Sequence, residues 1–153
     1  MAYQPGVERR RPPTEQGAAL AIVRIGAGTY LFFIGLHKIG WLFDSGPLAA
    51  QLSSWLSHAT LVSRWYLERI LPGTPIFARL VPIGEMTAGL ALVLGFWTRL
   101  AAACAFLMVL NYQVADGAVF HYTYLSDATG LPYLAALLGL AIGGAGLPLS
   151  VRK

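Results

Sequence analysis

Residues 77–97 read FARLVPIGEMTAGLALVLGFW, an almost unbroken apolar run with a carboxylate, Glu85, in its interior. At about 1.5 Å per residue, a helix of this length crosses the roughly 30 Å hydrocarbon layer of a bilayer. Only Thr98 and Arg99 separate it from a second apolar run, Leu100 to about Val119, so the two form an antiparallel membrane hairpin. On the amino-terminal side, Leu20 to Phe43 forms an earlier span, apolar apart from Arg24 near one end and His37 with Lys38 near the other. Its apolar core exceeds the roughly 7 to 15 residues of a cleaved signal peptide, and no small-residue cleavage site follows. Leu131 to Leu149 forms the last span, opened by Pro132 in its first turn and loosened by Gly143, Gly144, Gly146 and Pro148.

Composition agrees. Of 153 residues, 56% are apolar and 12% charged, and the mean hydropathy is +0.60. A soluble domain carries about 25% charged residues, so this chain cannot cover a water-facing surface. Disorder and nucleic-acid binding are excluded for want of charge and of a clustered basic face. One cysteine, Cys104, excludes a disulfide scaffold and a CxxC thiol oxidoreductase. The net charge of +4 comes largely from Arg9, Arg10, Arg11, Arg152 and Lys153, which flank the apolar runs as topology signals do. With Arg99 they mark one side as cytoplasmic, giving N-in and C-in. Lys38, Arg64, Arg69 and Arg79 fall on the other side, spread through a long segment where that rule is weaker.

Residues 44–75 are more than a linker. Asp44 or Ser45 caps a helix opened by Pro47, with Leu48, Leu52, Trp55 and Leu56 on one face; Leu61 to Leu71 repeats the pattern before Pro72, Gly73 and Pro75 turn the chain. Both stretches are too short to span and suit the membrane interface, where Trp41, Trp55, Trp65 and Tyr66 form an aromatic belt. The expected architecture is therefore all-α: a polar tail over 1–17, then an integral membrane bundle of four transmembrane helices over 18–150, with short interfacial helices between the first two spans. Ala21, Gly28 and Gly35 recur every seven positions, Gly84, Ala88, Ala91 and Gly95 every three or four, and Gly139 precedes Gly143 by four. Such faces let helices approach closely, with Gly89 and Gly95 expected in the hairpin seam, or they serve a helix of another protein.

A carboxylate deep in a bilayer is costly, so Glu85 needs a partner. Pairing Trp97 with Leu100 across the turn puts residues whose numbers sum to about 197 at equal depth, which sets Asn111 level with Glu85. Counting about 1.5 Å per residue places both near the midplane, with Tyr30 at a similar depth. The expected polar cluster is Glu85, Asn111 and Tyr30, with His37 and Lys38 above it, Arg79 at the rim, and Tyr112 and Gln113 within reach. Two readings stand. In one, these groups satisfy each other and lock helix register. In the other, they form the polar end of a pocket for a small lipophilic ligand, with Glu85 exchanging a proton. Arg24, close to one end, is expected to snorkel to the surface. His37, His58 and His121 lack ligand spacing, so no metal site is expected.

Gly35-Leu-His-Lys38, Pro82-Ile-Gly-Glu-Met-Thr-Ala-Gly-Leu-Ala-Leu-Val-Leu-Gly95, Trp97-Thr-Arg99 and Gly144-Ala-Gly-Leu-Pro-Leu-Ser150 resemble the DoxX family of small four-helix membrane proteins, from about Ala18 to Ser150. Lys38, Glu85 and Arg99 match its pattern, whereas Ser150-Val-Arg departs from the Ser-Leu-Asp ending of the family. The family includes a subunit of a thiosulfate:quinone oxidoreductase and a member resembling an anchor for redox-defence enzymes. The resemblance implies a bacterial-type cytoplasmic (inner) membrane protein that works at the quinone pool or scaffolds redox partners. It implies a quinone as the ligand, with no covalent cofactor, and other membrane subunits as partners. No catalytic residue is assigned. A quinone-interacting subunit of a membrane redox complex and a non-catalytic accessory or assembly subunit both fit; if catalytic, the chain belongs to a quinone-linked oxidoreductase.

Overall fold

The computed structural model describes residues 15–147 and 149–151. Most of the expected polar tail, together with Pro148, Arg152 and Lys153, lies outside the described residues. All regular structure among them is helical: α1 Glu15–His37, α2 Gly46–His58, α3 Leu61–Ile70, α4 Thr74–Leu94, α5 Thr98–Asp116 and α6 Leu131–Gly143, joined by short 3-10 turns. Three runs are long and apolar enough to cross a membrane: Glu15–His37, Leu61–Leu94 and Thr98–Asp116. Large apolar side chains such as Ile22, Ile76, Leu107 and Ile142 are more than 60% exposed, as lipid-facing residues are.

The ends of these helices follow local chemistry. Asp44 Oδ1 accepts the Gly46 N–H at 2.8 Å and Pro47 sits in the first turn of α2, while Ser45, at the N-cap, makes no side-chain capping bond. Gly95, at φ +71°, closes α4 in the left-handed conformation that a glycine adopts without penalty, and the Phe96 N–H returns to the Ala91 carbonyl at 2.8 Å. The hairpin turn comprises the three residues 95–97, and Thr98 and Arg99, expected to form it, instead open α5. The last helix is not as long: it stops at Gly143, and its 13 residues cover about 20 Å rather than a full bilayer. Beyond it, Gly146 at φ +67° turns the chain so that Leu147 is buried and the Val151 N–H bonds the Leu94 carbonyl at 3.1 Å.

The most extensive packing is between α1 and α4. A Cβ on Gly28 would lie 2.8 Å from the Gly89 carbonyl oxygen, and one on Gly35 would lie 2.9 Å from Met86 N. Gly89 faces the Phe32 backbone on α1, so it belongs to this seam and not to the α4–α5 hairpin. Gly84 is the residue that faces α5, against the flexible end of Met108. Because Gly35 meets Glu85 and Met86, α1 ends about halfway along α4. The first span is thus shorter at its far end than Leu20 to Phe43. The other half of α4 is covered by α2 and α3, whose Leu48, Leu52 and Leu67 form one core with Ala78 of α4 and Ala115 of α5. A second core, including Leu31, Leu92, Ala105, Leu137 and Leu140, joins α1, α4, α5 and α6.

Candidate functional site

The buried residues of α4 run Ala78, Pro82, Glu85, Gly89, Leu92, a stripe at spacings of three and four that places Glu85 in its middle. Three residues earlier, Pro82 lacks the N–H that would bond the Ala78 carbonyl and loosens the helix just before the carboxylate. Glu85 is 1% exposed. Its partner is Lys38, the residue after the last turn of α1, where a cation also complements the helix dipole. Lys38 Nζ donates to Glu85 Oε1 at 2.6 Å. The same ammonium lies 4.9 Å from the ring centroid of Tyr112 and 5.5 Å from that of Trp41, within cation–π range of both.

This ion pair edges a cavity of about 180 Å³. Its walls are Tyr30, Leu31 and Ile34 of α1, Val109, Tyr112 and Gln113 of α5, and Thr129 and Tyr133 from the entry to α6. Glu85 Oε2 and the Tyr112 hydroxyl are both inaccessible and adjacent, with the hydroxyl placed to donate to the carboxylate, and neither has another partner among the described residues. The remaining polar walls are fixed. Gln113 Nε2 donates to the Thr129 carbonyl at 2.7 Å, and the Tyr124 hydroxyl donates to Gln113 Oε1 at 2.5 Å. Asp127 Oδ1 accepts from both the N–H and the hydroxyl of Thr129 at 2.9 Å, bonds that hold its carboxyl below the usual range. Tyr133 donates to the Ala27 carbonyl at 3.0 Å and meets Tyr30 edge-on at 5.1 Å.

Of the residues singled out in the sequence, Glu85, Lys38 and Tyr30 come together, with Tyr112 and Gln113. Asn111 does not join them: it accepts a hydrogen bond from Tyr66 of α3. Adjacent residues on a helix point about 100° apart, and Tyr112, seven positions after the buried Ala105, is the one that shares the inward face. His37 is exposed, and Arg79 is exposed and donates to the Pro75 carbonyl of its own helix. Neither reaches the cavity. Sequence reasoning missed Trp41, Thr129 and Tyr133. For Tyr133 the signal was a polar tip within the first turn of an otherwise apolar helix.

The opposite end holds a second buried cation. Arg24, expected to snorkel, is 0% exposed; it donates to Ser150 Oγ at 2.6 Å and to the Leu149 carbonyl at 2.9 Å. It lies in register with the buried stripe Ala21, Ala27, Gly28, Leu31, so its side chain has no surface to follow. Gly95 packs against this guanidinium, and Arg99 Nε donates to the Ala141 carbonyl at 3.1 Å, tying α5 to α6.

The DoxX family model matches residues 19–121, the stretch that carries Arg24, Lys38, Glu85 and Tyr112. The chain belongs to the DoxX family. The matched region of this DoxX-family chain ends before α6, short of the resemblance drawn to Ser150. No curated protein and no solved structure matches the chain. Among its described residues no three His, Cys, Asp or Glu side chains are grouped to hold a metal ion.

Proposed function

We propose that this DoxX-family membrane protein is a quinone-interacting subunit of a membrane redox complex, with the quinone head in the cavity beside Lys38 and Glu85. The observation that carries this reading is the Lys38–Glu85 ion pair at the edge of a partly open cavity within an apolar bundle. Ionisable groups inside a membrane bundle mark a functional site by default. Size supports a ring: a dry cavity of about 150 Å³ accepts benzene, and this one is about 180 Å³. Lys38 Nζ is the donor for a carbonyl, and Tyr30, 40% exposed at the rim, lies beside the path for an apolar tail into lipid. These side chains bind, orient and exchange protons, so electrons come from a partner subunit.

In this reading all four helical layers belong to the membrane: α6 and the turned segment after it together complete a fourth crossing, and α2 with α3 fills the interfacial layer at the Thr74 end. The Gly95 end faces the cytoplasm of a bacterial-type inner membrane, with both termini inside. Cysteine labelling on a Cys104→Ala background checks this side assignment; a Ser57→Cys probe reacting from the cytoplasmic face would reverse it.

The test of the site is photolabelling of membranes with an azido-benzoquinone carrying a decyl tail. Label is expected in peptides containing Tyr30 to Lys38 and Val109 to Gln113, with competition by the unmodified quinone. Label absent from both, or indifferent to competitor, would remove the quinone reading and favour an accessory subunit.

A further inference from the structure

Positive charge gathers without a paired acid at the Gly95 end of the bundle. Arg24 is 0% exposed, its Nη groups reach only Ser150 Oγ and the Leu149 carbonyl, and its Nε has no partner among the described residues. A guanidinium does not shed its proton, so this charge remains in a water-poor place and is stabilised by any anion held nearby. Arg99, which is exposed, adds a second cation and uses Nε on the Ala141 carbonyl. The ion pair among the described residues, Lys38–Glu85, lies towards the other end.

An open cavity of about 470 Å³ occupies this end, with Arg99 in its lining. Arg24 lies behind Gly95 and Ser150, which also line it; a Cβ on Gly95 would collide with the guanidinium. Thr98 and Leu100 complete the wall on the α5 side. The first backbone bond of α5 runs from the Ala101 N–H to the Trp97 carbonyl, so the N–H groups of residues 98–100 have no helical acceptor, and no side chain caps them. Glu15, in the first turn of α1, is exposed and is not part of the lining. One cation in the wall, a second behind it and a positive helix end suit a phosphate, which a guanidinium holds through paired N–H bonds. The apolar part of the wall identifies the source of that phosphate. Trp97, 60% exposed and stacked on Phe96 at 5.2 Å, and Leu100, 55% exposed, border the same opening, as residues do where headgroups meet hydrocarbon. A soluble phosphate gains nothing from them, whereas the glycerol and upper chains of a lipid do. We infer that the cavity beside Arg99 binds the phosphate of an anionic phospholipid, with Arg99 as its contact and the buried Arg24 as the charge behind it. The site lies at the opposite end of the bundle from Lys38 and does not depend on a quinone there.

The experiment titrates the full chain in detergent with dioleoyl phosphatidylglycerol or dioleoyl phosphatidylcholine and counts bound lipid by native mass spectrometry. Wild type should take one phosphatidylglycerol about tenfold more tightly than phosphatidylcholine, and millimolar inorganic phosphate should not displace it. Arg99→Gln should abolish the preference. Arg64→Gln, the same change of charge on an exposed residue of α3, should leave it intact. Arg24→Met should weaken it severalfold with Arg99 still in place. Equal binding of the two lipids by wild type overturns the inference, and so does an Arg99→Gln protein that keeps the preference. Displacement by inorganic phosphate overturns the lipid as the source. Equal losses in Arg64→Gln and Arg99→Gln would mean that net charge, not this cavity, attracts the lipid, and would overturn the site. An unchanged Arg24→Met protein overturns the part assigned to the buried cation. The comparison of lipids and the phosphate competition need no variant, so they decide even where a substitution impairs folding.

Discussion

The bundle holds two cations on or next to the same helix, the half-buried Lys38 and the buried Arg24, and it treats them in opposite ways. Lys38 meets a carboxylate beside a cavity. Arg24 meets only neutral oxygens, the hydroxyl of Ser150 and the carbonyl of Leu149, and they belong to the segment that closes the chain beneath the bundle. An ion pair neutralises charge, here at the edge of a cavity. Neutral acceptors take the two Nη donors, leave Nε without a partner among the described residues, and fix a backbone. The comparison teaches that the cation beside the cavity is the one an acid accompanies, whereas the cation without an acid acts as a fastening.

The change expected to break both arrangements is Gly89→Leu. Even a Cβ there would lie 2.5 Å from Phe32 N and 2.7 Å from the Gly28 carbonyl, backbone atoms that cannot move aside without shifting α1 along α4. Both cations would lose register with their partners. No folded protein is expected to accumulate in membranes, measured by detergent-solubilised gel filtration; normal accumulation would show that the α1–α4 seam does not set the register.

Next in size is Glu85→Leu, which strands the Lys38 ammonium beside two rings. Removing one partner of a fully buried pair costs about 3 to 5 kcal/mol, because the remaining charge is uncompensated; with Lys38 22% exposed, the cost is expected at or below the lower end of that range. Thermal unfolding in detergent should show the loss, and Lys38→Met in the same chain should recover most of it. A double variant no better than the single would mean that Lys38 is not what Glu85 stabilises.

How far these regions could be read beforehand depended on which coordinate each residue needed. Depth was legible. Glu85 interrupts an apolar run of spanning length, and the rule that equal-depth residues sum to about 197 is met by Tyr112 more closely than by Asn111. Azimuth was not read: it required noticing that Ala101, Ala105 and Tyr112 fall on one face and Asn111 beside it. Arg24 was misjudged because snorkelling assumes a lipid-facing position, whereas its neighbours at three and four, Ala21, Ala27 and Gly28, are the small residues of a packed stripe. Lys38 reaches midway down α4 because α1 stops short and α2–α3 takes its place, a tertiary substitution that no local periodicity contains. Gly143 and Gly144 did signal the early end of α6, yet apolarity continuing to Leu149 concealed it.

Arg24→Met sharpens the other side of the comparison. It removes charge-assisted hydrogen bonds, but also a buried guanidinium that has no acid beside it among the described residues. The two effects oppose, so the net cost is expected at about 1 to 2 kcal/mol, well below that of Glu85→Leu. The local consequence should exceed the global one. Hydrogen exchange at the Val151 amide, bonded to the Leu94 carbonyl at 3.1 Å, should accelerate, while amides around Glu85 keep their protection. Equal acceleration at both ends would make Arg24 part of the whole fold's stability and not a local fastening.

The smallest effect belongs to Ser150→Ala, which takes away one acceptor and leaves the guanidinium in place. Ser150 Oγ accepts from Arg24 Nη1 and itself donates to the Leu147 carbonyl at 2.7 Å, so it relays the cation to the turn that buries Leu147. Alanine loses both bonds, yet Arg24 Nη2 still holds the Leu149 carbonyl. The freed Nη1 lies behind Ser150 and Gly95, which help to line an open cavity of about 470 Å³, and removal of the hydroxyl opens room for solvent to reach it. The expected cost is therefore under about 1 kcal/mol, with Val151 exchange faster than in wild type but slower than in Arg24→Met. Were Ser150→Ala to match Arg24→Met in both measurements, the hydroxyl would be the whole of the fastening and the backbone carbonyl a bystander. Were it indistinguishable from wild type, the carbonyl alone would hold the chain, and the comparison with Lys38 would reduce to one cation on an acid and one on a peptide group.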